Sequence, residues 1–135
     1  MVFINKPVLT VDALILYDED SIVLIKRKNE PYKGLWALPG GFVEYGETVE
    51  EAVIREAKEE TGLDIKLKSI SGVYSTPDRD PRGHIITICY LAHRTGGELK
   101  ADTDATQVKC IKIKEALKTR LAFDHEQIIK EGLII

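Results

Sequence analysis

The sequence predicts a fold of the α/β (α+β) class, a mixed β-sheet covered by helices on both faces. Three observations predict it. Strand-like runs are interspersed with two helical segments, the composition expected of a sheet with helices packed on it. Residues 84–93 are almost continuously apolar, as a strand at a sheet centre should be. Residues 48–61 carry both a helix start and a helix stop signal. At 135 residues the chain reads as a single domain over 1–135, large enough for a core of its own.

In order along the chain, residues 7–17 read as a strand, 18–20 (Asp18, Glu19, Asp20) as a turn, and 22–27 as a second strand. Residues 29–34 form a loop containing Pro31 and Gly34. Residues 36–43 run extended across a kink at Pro39, Gly40 and Gly41, two glycines that allow tight turns other residues resist. Gly46 serves the loop before the helix. Residues 65–75 alternate like a strand, 77–83 form a polar loop, and 84–93 form the central strand. Gly96 and Gly97 are expected to turn the chain. Residues 108–113 are a further strand, and 124–130 lie in a terminal helix.

The helix at 48–61 is the most informative element. Thr48 is a good N-cap and Glu51, three residues on, completes a capping box. Gly62 stops the helix in the left-handed conformation. Val49, Ala52, Val53 and Ala57 make the apolar stripe. At 3.6 residues per turn Glu56 and Glu60 lie about 40° apart, inside the stripe's sector, with Glu59 at its edge. Like charges at this spacing cost about 0.2–0.5 kcal/mol per pair on an exposed helix. Partly buried at roughly 5 Å, they repel by about 3 kcal/mol at an effective dielectric near 20. A hard divalent cation with oxygen ligands would turn that repulsion into binding, and Mg²⁺ fits best. Neither Cys nor His joins the cluster, which argues against zinc. The competing account is a solvated acidic face neutralised by Arg55 and Lys58.

The wider pattern weighs against that account. Gly41, five residues, Glu47, seven residues, Arg55-Glu56, the apolar Ala57, one residue, Glu59-Glu60, one residue, Gly62 and Leu63 together resemble the Nudix box. Seven fixed positions at ordinary residue frequencies match by chance about 10⁻⁹ to 10⁻⁸ of the time per start site. Ala57 is smaller than the Leu, Ile or Val usual there. Residues 24–27 and 34–40 resemble the family's lead-in, and the likeness extends over roughly 6–130.

The resemblance implies an α/β/α sandwich and hydrolysis of a nucleoside diphosphate linked to another moiety. It implies Mg²⁺, with Mn²⁺ as a substitute, held by Glu56, Glu59, Glu60 and the carbonyl of Gly40. Glu59, another of these glutamates or an acid from a later loop would orient or deprotonate the attacking water. Arg55 is either a scaffold holding a carboxylate or a surface ion pair with Glu51 or Glu59.

The run Ser75 to His84, with Arg79, Asp80, Pro81, Arg82 and Gly83, resembles small ADP-ribose pyrophosphatases, as does Leu121-Ala122-Phe123-Asp124-His125. That implies ADP-ribose cleaved to AMP and ribose 5-phosphate. Nucleoside triphosphates, diadenosine polyphosphates or another nucleotide sugar are alternatives, and a non-catalytic ADP-ribose sensor is a third reading. The substrate-binding set is Arg27, Glu44, Arg79, Arg82 and Asp104. The loop at 75–84 could equally be plain Asx and proline turns, and Arg27 a solvated strand-end arginine. Glu98, Asp102 and Asp104 are candidates for an extra carboxylate. Asp104-Ala105 fits the subgroup, whereas Cys110 stands where an aromatic residue is expected. Trp36 is either a core plug or a base-stacking surface. His84, His93 and His125 share no ligand spacing and read as structural.

Composition is that of a soluble globular chain, 44% hydrophobic and 30% charged. The net charge of −3 gives no reason to expect a nucleic-acid partner. No run approaches a membrane span and no leader is evident. Cys89 and Cys110, in apolar runs, suggest buried, reduced thiols in a cytoplasmic protein. Relatives with similar loops imply a homodimer.

Overall fold

The computed structural model describes residues 6–100 and 107–134. Asp102, Asp104 and Ala105, singled out above, lie outside the described residues. The elements are β1 (Val8–Asp18), β2 (Ser21–Lys26), β3 (Trp36–Ala37), β4 (Gly40–Phe42), α1 (Val49–Thr61), β5 (Leu63–Tyr74), β6 (Ile85–Gly97), β7 (Val108–Lys112), α2 (Ile113–Ala116) and α3 (His125–Leu133).

Among the described residues seven strands join one sheet with the central order β3-β2-β1-β6-β5; β4 pairs with β1 and β7 with β2. The sheet is mixed, as expected. The long β1–β6 pairing is parallel, from Val8 opposite Ile85 to Leu16 opposite His93, while the other pairings are antiparallel. Parallel neighbours are buried on both faces, which explains why both strands are so apolar. Two cores follow. Val11, Ala13, Ile15 and Val23 pack beneath Ala52, Val53 and Ala57 of α1. Leu14, Ile22, Leu24 and Cys89 pack beneath Ile128 and Ile129 of α3. The edge strand β5 breaks its register with β6 three times, the bulging by which sheets discourage pairing with another edge.

Three expectations need correction. Gly96 and Gly97 do not turn the chain; they remain in β6, opposite Asp64 and Leu63. Gly97 has φ 74°, and a Cβ there would lie 2.4 Å from the carbonyl oxygen of Gly62. The glycine lets the strand pass against the end of α1. Ile113 does not close β7 but opens the short helix α2. Cys110 is only half-buried, and both cysteines are free thiols.

Candidate active site

The helix α1 forms as its sequence dictates. The Thr48 side chain accepts from the Glu51 amide, the Glu51 carboxylate accepts from the Thr48 amide, and Gly62 closes the helix at φ 82°. Ala52, Val53 and Ala57 are fully buried. Glu56 and Glu60 are half-buried on that side and Glu59 is exposed.

Strand β4 carries the other half of the site, antiparallel to β1 with Gly40 opposite Asp12 and Gly41 opposite Val11. The Gly40 amide donates to Glu60 Oε1 at 2.7 Å. Neither glycine is needed for a turn, because neither has a left-handed φ. Close approach is the reason instead. A Cβ on Gly40 would lie 2.2 Å from the Val11 carbonyl oxygen and from Asp12 Oδ1, and one on Gly41 would lie 2.6 Å from the Glu56 carboxyl carbon.

Arg55 lies across the acids. Nε and Nη2 donate to the two oxygens of Glu47 at 2.7 and 2.9 Å. Nη1 donates to Glu56 at 2.7 Å and to Glu59 at 3.2 Å, and Nη2 also reaches the Phe42 carbonyl at 3.2 Å. Glu44 is 3.7 Å away. Glu51, occupied by the capping box, is not among these partners. Hydrogen bonds from Arg55 hold the Glu47 carboxyl down at about 2.

Glu60 is the opposite case. Burial first, then the charges of Glu56 and Asp12, push its pKa up to about 7 against the pull of the Gly40 amide and Arg27. Burial also raises Glu56, offset in part by Arg55. Two half-buried carboxylates that resist ionisation are what a divalent cation would relieve, and an all-oxygen donor set suits a hard one. Among the described residues no three such groups yet converge on one point, since Glu56 and Glu59 are turned to Arg55 and Glu60 to Gly40.

A cleft of about 180 Å³ opens over Gly40 and Glu60, bounded by Asp12, Arg27, Phe42, Arg79, Arg82 and Phe123. A second hollow of about 350 Å³ shares Arg27 and Glu60 and is edged by Lys26, Lys28, Glu59 and Lys100. The four described members of the substrate-binding set take different positions. Arg27 donates from Nε to the Pro31 carbonyl at 2.7 Å and lies 4.9 Å from the Phe123 ring centre. Arg82 grips Asp80 with two nitrogens at 3.1 and 2.8 Å and faces the Phe42 and Phe123 rings. Arg79 is half-buried, its side chain only 8% exposed, and it is bidentate to Asp124 at 2.8 and 2.6 Å, with Nη1 on Thr87 at 2.7 Å, so its fork is directed into the protein. Glu44 is exposed. The loop is also the Asx turn considered above, because Asp80 Oδ1 accepts from the Arg82 amide at 2.9 Å.

Trp36 does not line the cleft. It packs on the α3-side core with Lys109 Nζ 4.1 Å from its ring centre. Glu98 is exposed just beyond β6.

Sequence reasoning gave no role to Asp12. It is buried in β1 and 3.3 Å from Nε2 of the buried His125, whose Nδ1 accepts from the Leu38 amide at 3.0 Å. An acid in the middle of a largely apolar strand was the available signal, because acids are almost never buried without a partner.

A sheet with helices on both faces, and an acidic helix set against a glycine strand, define the class. The chain belongs to the NUDIX domain family, which it matches over residues 6–132. It is 59% identical over 125 residues to the ADP-ribose pyrophosphatase of Methanocaldococcus jannaschii, covering 93% of this chain and 72% of that one. It is 33% identical over 133 residues to the ADPR responsive transcriptional repressor NtrR of Acinetobacter baylyi, covering 94% of this chain and 53% of the repressor. The NUDIX domain of Shewanella oneidensis NrtR, solved in complex with ADP ribose, superposes with a TM-score of 0.82 at 31% identity, over 96% of this chain and 88% of that one.

Proposed function

We infer that the protein is a Nudix hydrolase that cleaves ADP-ribose to AMP and ribose 5-phosphate with Mg²⁺, for which Mn²⁺ can substitute. The observation that carries the chemistry is Glu60, half-buried beside Gly40 with its pKa pushed up to about 7, in a cleft rimmed by Arg27 and Arg82. The likeness to the Methanocaldococcus pyrophosphatase supports the choice of substrate.

Glu56, Glu59, Glu60 and the Gly40 carbonyl would hold the metal, which when bound supplies charge neutralisation for the diphosphate. Glu59, the most exposed of the three acids, orients the attacking water and takes its proton. The water oxygen bonds to one phosphorus as the bridging P–O bond breaks, and the bridge oxygen leaves with the other phosphate. Arg55 keeps Glu56 and Glu59 at fixed separation until they are engaged. Arg27 and Arg82 place positive charge at the rim for the anionic substrate. Arg79 acts at one remove, tying the loop to Asp124. A cytoplasmic homodimer belongs to the same reading.

A second reading, a sensor that binds ADP-ribose without hydrolysing it, is favoured by the likeness to the repressor. Against it stand all three box glutamates. A turnover panel with separated products decides: ADP-ribose, ADP-glucose, diadenosine polyphosphates and nucleoside triphosphates, each with Mg²⁺ and with EDTA. Fast, EDTA-sensitive release of AMP from ADP-ribose supports the hydrolase. Faster turnover of another substrate replaces ADP-ribose but keeps the chemistry. Binding without turnover replaces the hydrolase with the sensor.

A further inference from the structure

Leu38 and Pro39 lie where the chain changes its sheet partner. The pairing of β3 with β2 ends at Ala37, and the pairing of β4 with β1 begins at Gly40. The two residues between belong to neither ladder, yet their backbone is held. The Pro39 carbonyl accepts from the Ala13 amide at 2.8 Å, and the Leu38 amide donates to Nδ1 of His125 at 3.0 Å. Proline has no N–H, so the imidazole meets the single amide donor of this crossing.

The imidazole stands in for a strand. Leu121 bridges Trp36 in parallel, and the Ala122 amide donates to the Trp36 carbonyl at 2.9 Å. The next rung of a parallel ladder would pair the Leu38 amide with the Ala122 carbonyl. That carbonyl is taken by the His125 amide at 3.1 Å as α3 begins, and the His125 ring supplies the acceptor instead. Nδ1 accepts only when it carries no proton, so the neutral ring has its proton on Nε2. Nε2 lies 3.3 Å from Asp12 Oδ2, which favours that tautomer. The other oxygen of Asp12 lies over Gly40, where a Cβ would overlap it. Asp12 and His125 are both buried, so the pair forms a fixed support behind β4.

Gly40 is the residue that this support delivers. Its amide donates to Glu60 Oε1 at 2.7 Å, and its carbonyl belongs to the metal set given above. Both groups move if the crossing at 38–39 moves.

We propose that His125 is a positioning residue for the metal: its Nδ1, kept as an acceptor by Asp12, fixes the backbone at 38–40 and with it the Gly40 carbonyl relative to Glu60. The inference rests on reading Gly40 and Glu60 as metal ligands. A histidine kept only for packing would be replaced equally well by any side chain that fills its space. A histidine kept for its acceptor is replaced only by a side chain that puts an acceptor at the place of Nδ1.

The test is Mn²⁺ binding to the full chain, followed by electron paramagnetic resonance of the free ion, in the natural protein and three variants. His125→Asn sets an amide oxygen near the position of Nδ1. His125→Gln reaches the position of Nε2 instead, and His125→Leu fills the space without any acceptor. Melting curves in EDTA establish that each variant is folded. Removing an outer partner of a metal site typically costs about 10- to 100-fold in affinity. The expected result is Mn²⁺ binding weakened by about 10-fold or more in His125→Leu and His125→Gln, and largely restored in His125→Asn. Equal affinity in all four proteins, or an equal loss in all three variants, overturns the proposal. If His125→Leu does not fold, the contrast between Asn and Gln decides. A natural protein that binds no Mn²⁺ removes the metal reading and this proposal together, whereas binding indifferent to His125 removes the proposal alone.

Discussion

The backbone amide of Gly40 donates to Glu60 Oε1 at 2.7 Å across twenty residues of chain, and that bond joins the glycine strand to the acidic helix. Glu60 is nevertheless a poor anion, because burial and the nearby Glu56 and Asp12 raise its pKa to about 7. Glu60→Gln keeps the shape and removes the charge. Hydrolysis should fall by more than about 100-fold, the upper end of what disturbing even a ligand's neighbour costs. The metal-free protein should melt at the same temperature or higher. Turnover and a melting curve in EDTA read the two effects, and a loss of stability would contradict this account.

The same carboxylate sets a pH dependence. Its pKa is near 4.5 unfolded and about 7 folded, so the folded state binds the proton more tightly. Its contribution to stability is complete below the unfolded value and is lost as pH rises through about 7. In EDTA the melting temperature of the natural protein relative to Glu60→Gln should therefore decline between about pH 5 and pH 8. Bound Mg²⁺ prefers the ionised form, so its stabilising shift should grow over the same interval. A metal-induced shift independent of pH would remove Glu60 from the metal set.

Arg55 contacts Glu47, Glu56 and Glu59 through geometry that only a guanidinium provides. Lysine keeps the charge but not the fork. Arg55→Lys should lose about 10- to 100-fold in activity, with a raised Mg²⁺ requirement and an intact fold by circular dichroism. Arg55 behaving as a simple surface ion pair would give a nearly wild-type enzyme.

Arg79 and Asp124 form a largely buried bidentate pair at the cleft, with side-chain exposures of 8% and 21%. Burial disfavours the Arg79 charge, yet the bonds to Asp124 outweigh it and its pKa is raised. Asp124→Ala strands the cation, and breaking such a pair costs about 3–5 kcal/mol. Urea denaturation of Asp124→Ala should show that loss. The double variant with Arg79→Met should recover part of it, because no charge is then left unpaired.

Residue pattern foretold the parts of this molecule governed by local rules. Thr48, Glu51 and Gly62 bracket α1 because capping is settled within a few residues. The apolar run at 84–93 belongs to the buried β6 because burial on both faces removes alternation. Pairings between distant segments left no comparable mark. Nothing near Asp12 announces His125, and nothing near Arg79 announces Asp124, because each partner arrives through the sheet topology. Gly96 and Gly97 misled for a related reason: glycine marks a turn and a close approach alike, and only the position of Gly62 distinguishes them.

Gly40 and Gly41 separate fold from site within one dipeptide. A methyl on Gly40 would lie 2.2 Å from the Val11 carbonyl oxygen, an atom of the β1 backbone that cannot move without breaking the β1–β4 pairing. The atoms nearest to a methyl on Gly41 all belong to the Glu56 carboxyl group, at 2.6–2.7 Å, the far end of a flexible side chain. Gly40→Ala should therefore destabilise by more than about 1–3 kcal/mol, the usual cost of overpacking where neighbours can adjust. Gly41→Ala should fold with near-normal stability, because Glu56 can rotate away, yet lose hydrolysis, because the displaced carboxylate gives up the place in which Arg55 holds it at 2.7 Å. Thermal melting and turnover measured on both variants check the contrast. Equal destabilisation by the two substitutions would mean that the Glu56 position is dictated by packing and not by the site.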